Sequence, residues 1–120
     1  MKFFQCPDCG KILIPDRSED FEPKKLTELI PNTTDAAGEK HVPVIRADGN
    51  SVKVEVGAVA HTMLDAHYNT FIDLQTSQVY QKKDLKPGDK PEAVFALADG
   101  ETDVAADEYC NLHGLWKAEA

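Results

Sequence analysis

Between Val42 and Val56 the chain alternates in a way that leaves little choice of backbone. Ser51-Val52-Lys53-Val54-Glu55-Val56 sets a β-branched apolar residue at every second position, so a strand here buries one face and wets the other. Val42-Pro43-Val44-Ile45 and then Ala47-Asp48-Gly49-Asn50 precede it, which is the chemistry of a hairpin. Further short strands are expected at regular spacing over 59–61, 68–75, 78–82, 93–98 and 103–109, with Pro87-Gly88 and Asp99-Gly100 as turns. No long segment of helical period appears. The pattern predicts an all-β chain, an antiparallel sandwich of about seven strands whose helices are absent or single turns.

The N-terminus reads differently. Residues 2–5 and 11–14 suggest two short strands around Cys6-Pro7-Asp8-Cys9-Gly10, a knuckle that turns two sulfurs and several backbone N–H groups toward one point. Only half a tetrathiolate site is present, because no further cysteine occurs before Cys110. A vestigial knuckle, a free dithiol, a local disulfide, or a metal completed by another chain or by Cys110 and His113 all satisfy the pattern. Residues 15–35 are polar and punctuated by Pro15, Pro23 and Pro31, as in a linker with at most one short apolar contact at 26–30. Two regions follow: an N-terminal segment over 1–35 and a sandwich over 36–120.

A chain of 120 residues suits one core with a small appendage. No apolar run approaches the roughly 18 residues of a membrane span, and Met1-Lys2-Phe3-Phe4-Gln5 runs straight into the first cysteine with no apolar signal region. A cytoplasmic protein is expected. The net charge of −8 argues against nucleic acid as a partner, and an anionic substrate would need a local cation at the mouth of its site. Three cysteines, an odd number without an export signal, favour metal or redox chemistry over a disulfide framework.

Candidate ligands are concentrated. Tyr109-Cys110-Asn111-Leu112-His113-Gly114 sets a thiol and an imidazole three residues apart before a glycine, and the four histidines are His41, His61, His67 and His113. His61 and His67 would lie roughly 20 Å apart along a continuous strand, and a helix would put them on different faces. They share an ion only if residues 62–66 fold them together as a loop or single turn; otherwise each is an ordinary surface or core histidine. Four imidazoles with one thiolate suit a redox-active iron, open on one side, better than a structural zinc that closes at four ligands.

Three segments carry a resemblance: residues 31–45, which include Glu39-Lys40-His41; His61-Thr62-Met63-Leu64-Asp65-Ala66-His67-Tyr68; and Tyr109-Cys110-Asn111-Leu112-His113-Gly114-Leu115-Trp116. Together, and in this order from about Lys24 to Lys117, they resemble the superoxide reductase family, the desulfoferrodoxins and neelaredoxins. The resemblance implies an immunoglobulin-like β-sandwich holding one mononuclear iron (Fe2+/Fe3+), with His41, His61, His67 and His113 equatorial and Cys110 axial. It implies reduction of superoxide to hydrogen peroxide, with Lys40 attracting the anion, Glu39 able to occupy the sixth position of the ferric form, and backbone N–H groups of residues 111–113 tuning the sulfur. It also implies a rubredoxin-like electron donor and a homo-oligomer, dimer or tetramer.

Two departures qualify the resemblance. The family's His-Pro-Met reads His61-Thr62-Met63 here, which implies a looser loop without loss of a ligand. Where desulfoferrodoxins carry an adjacent cysteine pair, this chain has Phe21-Glu22-Pro23-Lys24-Lys25, so no second iron is expected at Cys6 and Cys9. The alternatives are a structural zinc knuckle built from Cys6, Cys9, Cys110 and His113, which leaves three histidines unexplained, and an inactive iron-binding sensor domain.

Overall fold

The computed structural model describes residues 1–16, 24–59, 61–102 and 104–120. The Phe21-Glu22-Pro23 part of the replaced cysteine pair lies outside the described residues. The chain divides into two compact units, residues 1–30 and 31–120.

In the first unit, β1 (Phe3–Gln5) pairs antiparallel with both β2 (Ile12–Leu13) and β3 (Thr27–Leu29). The Cys6 to Gly10 turn joins β1 to β2. The linker expected over 15–35 is therefore interrupted by β3. Its three residues contain no alternating apolar pattern; they are strand because β1 offers them a ladder, a long-range cause that local composition does not announce.

In the second unit the expected sandwich is present, among the described residues, as seven strands in two antiparallel sheets. One sheet has the order β4-β5-β8, from β4 (Pro43–Asp48), β5 (Ser51–Val56) and β8 (Glu92–Ala96). The other has the order β10-β9-β6-β7, from β6 (Asn69–Gln75), β7 (Tyr80–Asp84), β9 (Ala105–Cys110) and β10 (Gly114–Glu119). The helix content described is one turn, α1 (Gly38–His41). The β4–β5 hairpin closes as its sequence predicts: Asp48 pairs with Ser51, and Gly49 takes a φ of +61° in the first position of a two-residue loop, where a side chain would be strained.

Val52, Val54, Val56, Ala93 and Phe95 from the first sheet meet Ile72, Leu74 and Ala106 from the second. Burial of each large side chain contributes about 1.5–3 kcal/mol. The alternation on β5 holds residue by residue, with the three valines buried between less buried neighbours.

Two expectations fail. Residues 59–61 are not a strand: Gly57, Ala58 and Val59 form a turn, Ala60 lies outside the described residues, and His61 follows in irregular backbone. Gly57 has a φ of +77°, and a Cβ there would sit 2.6 Å from the Glu39 carbonyl oxygen, so the turn is pressed against α1 too closely to extend as a strand. The second miss is β10. All six residues of its neighbour β9 are buried, and Leu115 and Trp116 are both buried on successive positions of β10, so neither strand shows the one-sided alternation that marks a half-wet edge.

Candidate metal centre

Each candidate ligand arrives on a different piece of backbone. His41 ends α1, whose turn is held by Val42 N–H donating to the Gly38 carbonyl (2.9 Å) and pinned by Val59 N–H donating to the Glu39 carbonyl (3.0 Å). The 61–67 segment is the closed loop its spacing demands: Leu64 and His67 exchange both backbone hydrogen bonds at 2.9 Å, which reverses the chain and brings the two imidazoles together. Met63 anchors that loop. Its carbonyl accepts from Gly88 N–H (3.0 Å), its sulfur accepts from Asn69 N–H (3.4 Å), and its side chain packs on the core.

Cys110 ends β9 and His113 lies in the short loop that enters β10, with Gly114 paired to Cys110. Gly114 has a φ of +82°, and a Cβ there would meet Thr34 Oγ1 at 2.8 Å. Asn111 stitches this loop to the other. Its N–H donates to the Tyr68 carbonyl (3.1 Å), its Oδ1 accepts from Tyr68 N–H (2.9 Å), and its Nδ2 donates to the Ala66 carbonyl (3.2 Å). A bulge in the β6–β9 ladder between Asn69 and Phe71, beside Cys110, is the irregularity expected where a strand re-aims a side chain toward a site.

The result is a closed ring of imidazoles. Centroid separations run 4.7 Å from His41 to His61, 4.8 Å from His61 to His67, 5.0 Å from His67 to His113 and 4.8 Å from His113 back to His41. The Cys110 sulfur lies within 4.8 Å of a ring nitrogen of every one of them. A square of that side has its centre about 3.4 Å from each centroid, close enough for inward ring nitrogens to reach a central ion at ordinary metal–nitrogen range.

The ring nitrogens bear out the fit to a cation. His61 Nδ1–H donates to the Thr62 carbonyl (2.6 Å), which fixes the tautomer and leaves Nε2 with a lone pair, the arrangement typical of a metal-bound histidine. That Nε2 and the Nε2 of His67 are buried with no hydrogen-bond partner among the described residues, a cost a metal ion removes. Burial first, then the neighbouring imidazoles and the Lys40 ammonium, lowers His41 to about 4. Burial likewise lowers His61 and His67, so these rings are neutral near pH 7 and their lone pairs are free. Burial pushes the Cys110 thiol up, opposed by hydrogen bonds from the Leu112 and His113 N–H groups; a cation in the ring favours the thiolate these N–H groups would receive.

Two neighbours had no role assigned from sequence. Trp116 stacks on His41 (5.1 Å, 16° between planes) and donates Nε1–H to the His113 carbonyl (3.0 Å). Glu108, wholly buried, sets Oε1 at 3.6 Å from His41 Nδ1, and burial holds its carboxyl well above the usual range. Trp116 and Glu108 are register partners on β10 and β9, so the two strands flank His41 from one ladder position. The only sequence signal was a charged residue two before Cys110, which strand alternation places on the same face. Glu39 and Lys40 are exposed on α1 beside His41, and the Lys40 charge acts on His41, His61 and His67 alike.

A family model described as Desulfoferrodoxin matches residues 33–119. The chain belongs to the desulfoferrodoxin family. The desulfoferrodoxin of Nitratidesulfovibrio vulgaris is 46% identical over 125 residues, spanning 99% of this chain and 96% of that one. Among solved structures, the superoxide reductase from Treponema pallidum superposes with a TM-score of 0.74 at 43% identity, covering 78% of this chain and 77% of its own. The one-iron superoxide reductase from Giardia intestinalis does so at 0.63 and 32% identity, covering 68% and 97%. Membership in this family, all-β like the chain itself, does not favour the zinc-knuckle or inactive-sensor alternatives. Among the described residues, the groups able to hold a metal are His41 with Cys110 and His113, and His61 with His67 and Cys110; neither includes Cys6 or Cys9.

Proposed function

We propose that His41, His61, His67, His113 and Cys110 hold one mononuclear iron, at which this oxidoreductase of the desulfoferrodoxin family reduces superoxide to hydrogen peroxide. The carrying observation is the closed imidazole ring with a thiol beside all four members. Bound there, iron supplies one electron per superoxide by cycling between its ferrous and ferric states.

The rest of the work falls to the chain. The stitched loops preorganise the donors, so that little is reordered on each turnover. Leu112 and His113 N–H groups, donating to Cys110 Sγ, moderate how much electron density that sulfur gives. Lys40 supplies the local positive charge that a superoxide anion needs near a chain of net charge −8, and Glu39 stands next to it as a carboxylate at the same exposed turn. The two protons of the product come from solvent at this open edge. The electron is returned by a rubredoxin-like carrier, and the chain works as a homo-oligomer, readings supported by the family resemblance. No helix among the described residues is long and apolar enough to cross a membrane.

Cys110→Ser tests the assignment. The ferric form of the native protein is expected to show a thiolate-to-iron absorption band, and the variant to lose that band while keeping its far-UV circular dichroism. A visible spectrum unchanged by the substitution would rule Cys110 out as a ligand.

A further inference from the structure

The function above leaves Cys6 and Cys9 unused. They sit in the turn between β1 and β2, Cys6 half-buried and Cys9 exposed, both as free thiols. Hydrogen bonds along the chain close that turn. Cys6 N–H donates to the Lys11 carbonyl (3.0 Å), Gly10 N–H donates to the Cys6 carbonyl (2.8 Å), and Gln5 Nε2 donates to the Gly10 carbonyl (3.3 Å). Gln5 pairs with Ile12 and Phe4 with Leu13 on either side. Gly10 takes a φ of +73°, a left-handed conformation that favours glycine and turns the chain back toward β2.

The hydrogen bond from Gly10 N–H back to the Cys6 carbonyl closes one tight reversal over residues 6–10, and both thiols lie within it. Cys6 receives hydrogen bonds from the Cys9 thiol and from the Cys9 and Asp8 N–H groups, and the first of these does most to lower its pKa from the ordinary thiol value, against the opposing effects of desolvation and, less, of the Asp8 charge. A thiol held in this way ionises more readily, and the thiolate is the form that attacks. The chain supplies no further thiol to make the knuckle a tetrathiolate site: the third cysteine, Cys110, belongs to the imidazole ring.

We propose that Cys6 and Cys9 are a redox-active dithiol that hydroperoxides oxidise to an intramolecular disulfide, with Cys6 as the attacking thiolate and Cys9 as the resolving one. The Cys6 sulfur attacks one peroxide oxygen; the S–O bond forms, the O–O bond breaks, and the departing hydroxide takes a proton to become water. Cys9, its proton released to solvent, then attacks the Cys6 sulfenic sulfur. The S–S bond forms, the S–O bond breaks, and a second water leaves. Two thiols and one hydrogen peroxide become one disulfide and two waters, the two electrons passing from sulfur to oxygen. A small dithiol reductant reverses the step. Hydrogen peroxide is also what the proposed reaction produces, yet the dithiol chemistry stands or falls apart from that reading.

The full-length, iron-loaded protein is treated with a modest excess of hydrogen peroxide, alkylated, digested and mapped by mass. The expected result is an N-terminal peptide that has lost two hydrogens and regains them with dithiothreitol. Cys9→Ser is expected to stop at a sulfenic acid on Cys6, captured by dimedone, and Cys6→Ser to slow peroxide-driven loss of the remaining N-terminal thiol by about tenfold or more. The proposal is overturned if both thiols stay alkylatable in the wild type, if they link only between chains, if Cys6→Ser reacts as fast as wild type, or if the isolated protein carries a second metal ion that Cys6→Ser removes. Loss of the iron absorption band in Cys110→Ser bears on the iron site alone, so the two readings fail separately.

Discussion

The indole of Trp116 lies flat on the imidazole of His41, 5.1 Å away and 16° from parallel, while its Nε1–H is committed to the His113 carbonyl. One side chain therefore braces two members of the imidazole ring, one by its face and one by its edge. Trp116→Ala should cost about 3–5 kcal/mol of stability, the range for emptying a buried aromatic site. Trp116→Phe keeps a stacking face but loses the hydrogen bond, for about 1 kcal/mol. Urea unfolding gives both numbers, and the absorption of the iron-loaded protein reports whether the ring has loosened. Equal losses for the two variants would show that the stack contributes nothing.

Gly57 is the second brace, acting through space denied to a side chain. Gly57→Ala drives a methyl into the Glu39 and Lys40 carbonyls at a φ of +77° and should destabilise by about 1–3 kcal/mol, with a loss of metal affinity because α1 carries His41. Gly100→Ala is the control: its φ is +84° with open space around it, so it carries strain without displacing α1. Thermal unfolding and metal titration of the two variants, side by side, separate backbone strain from the clash.

Lys40 bears on rate and not on structure. It is exposed and its charge reaches three of the histidines, so Lys40→Ala should slow the second-order reaction with superoxide by about tenfold at low salt. The wild-type rate should fall as salt is added and the variant's much less so. Pulse radiolysis at two ionic strengths measures this; equal rates at low salt would end the steering role.

Away from the centre, Asp73 and Asp107 face each other as register partners in adjacent strands, both fully buried. Asp73 Oδ1 accepts from Asp107 N–H (3.0 Å) and Oδ2 from the Tyr80 hydroxyl (3.1 Å). Burial, and then its hydrogen bond and charge repulsion with Asp107, push Asp73 from 3.8 up to about 9. Because the folded state keeps a proton that the unfolded chain has released, stability from this group is complete below about pH 4 and is lost as pH rises toward 9, by at most about 1.4 kcal/mol per pH unit. Asp73→Asn, neutral throughout, should flatten that slope. Urea unfolding across this window decides it, and parallel curves for variant and wild type would refute it.

Much of this was legible without coordinates. The alternating valines of β5 and the glycine of its hairpin are local instructions, readable because a strand with one wet face writes its period into the chain. The ligand-type residues were legible for another reason: few residue types offer imidazole or thiolate, and their spacing within three segments resembled one family. What the tertiary structure alone decided was whatever depends on neighbours distant in sequence. Strand β10 escaped notice because both faces of its partner are covered and Leu115 and Trp116 are both buried, so no alternation survives to be read. Thr27–Leu29 became strand only because β1 lay alongside it. The spacing of His61 and His67 required a loop but did not say that Leu64 and His67 would close it or that Asn111 would tie it to Cys110 and His113. Spacing sets which groups are available; the ring they form is set by backbone hydrogen bonds and packing between strands far apart in the chain, and those are properties of the folded molecule.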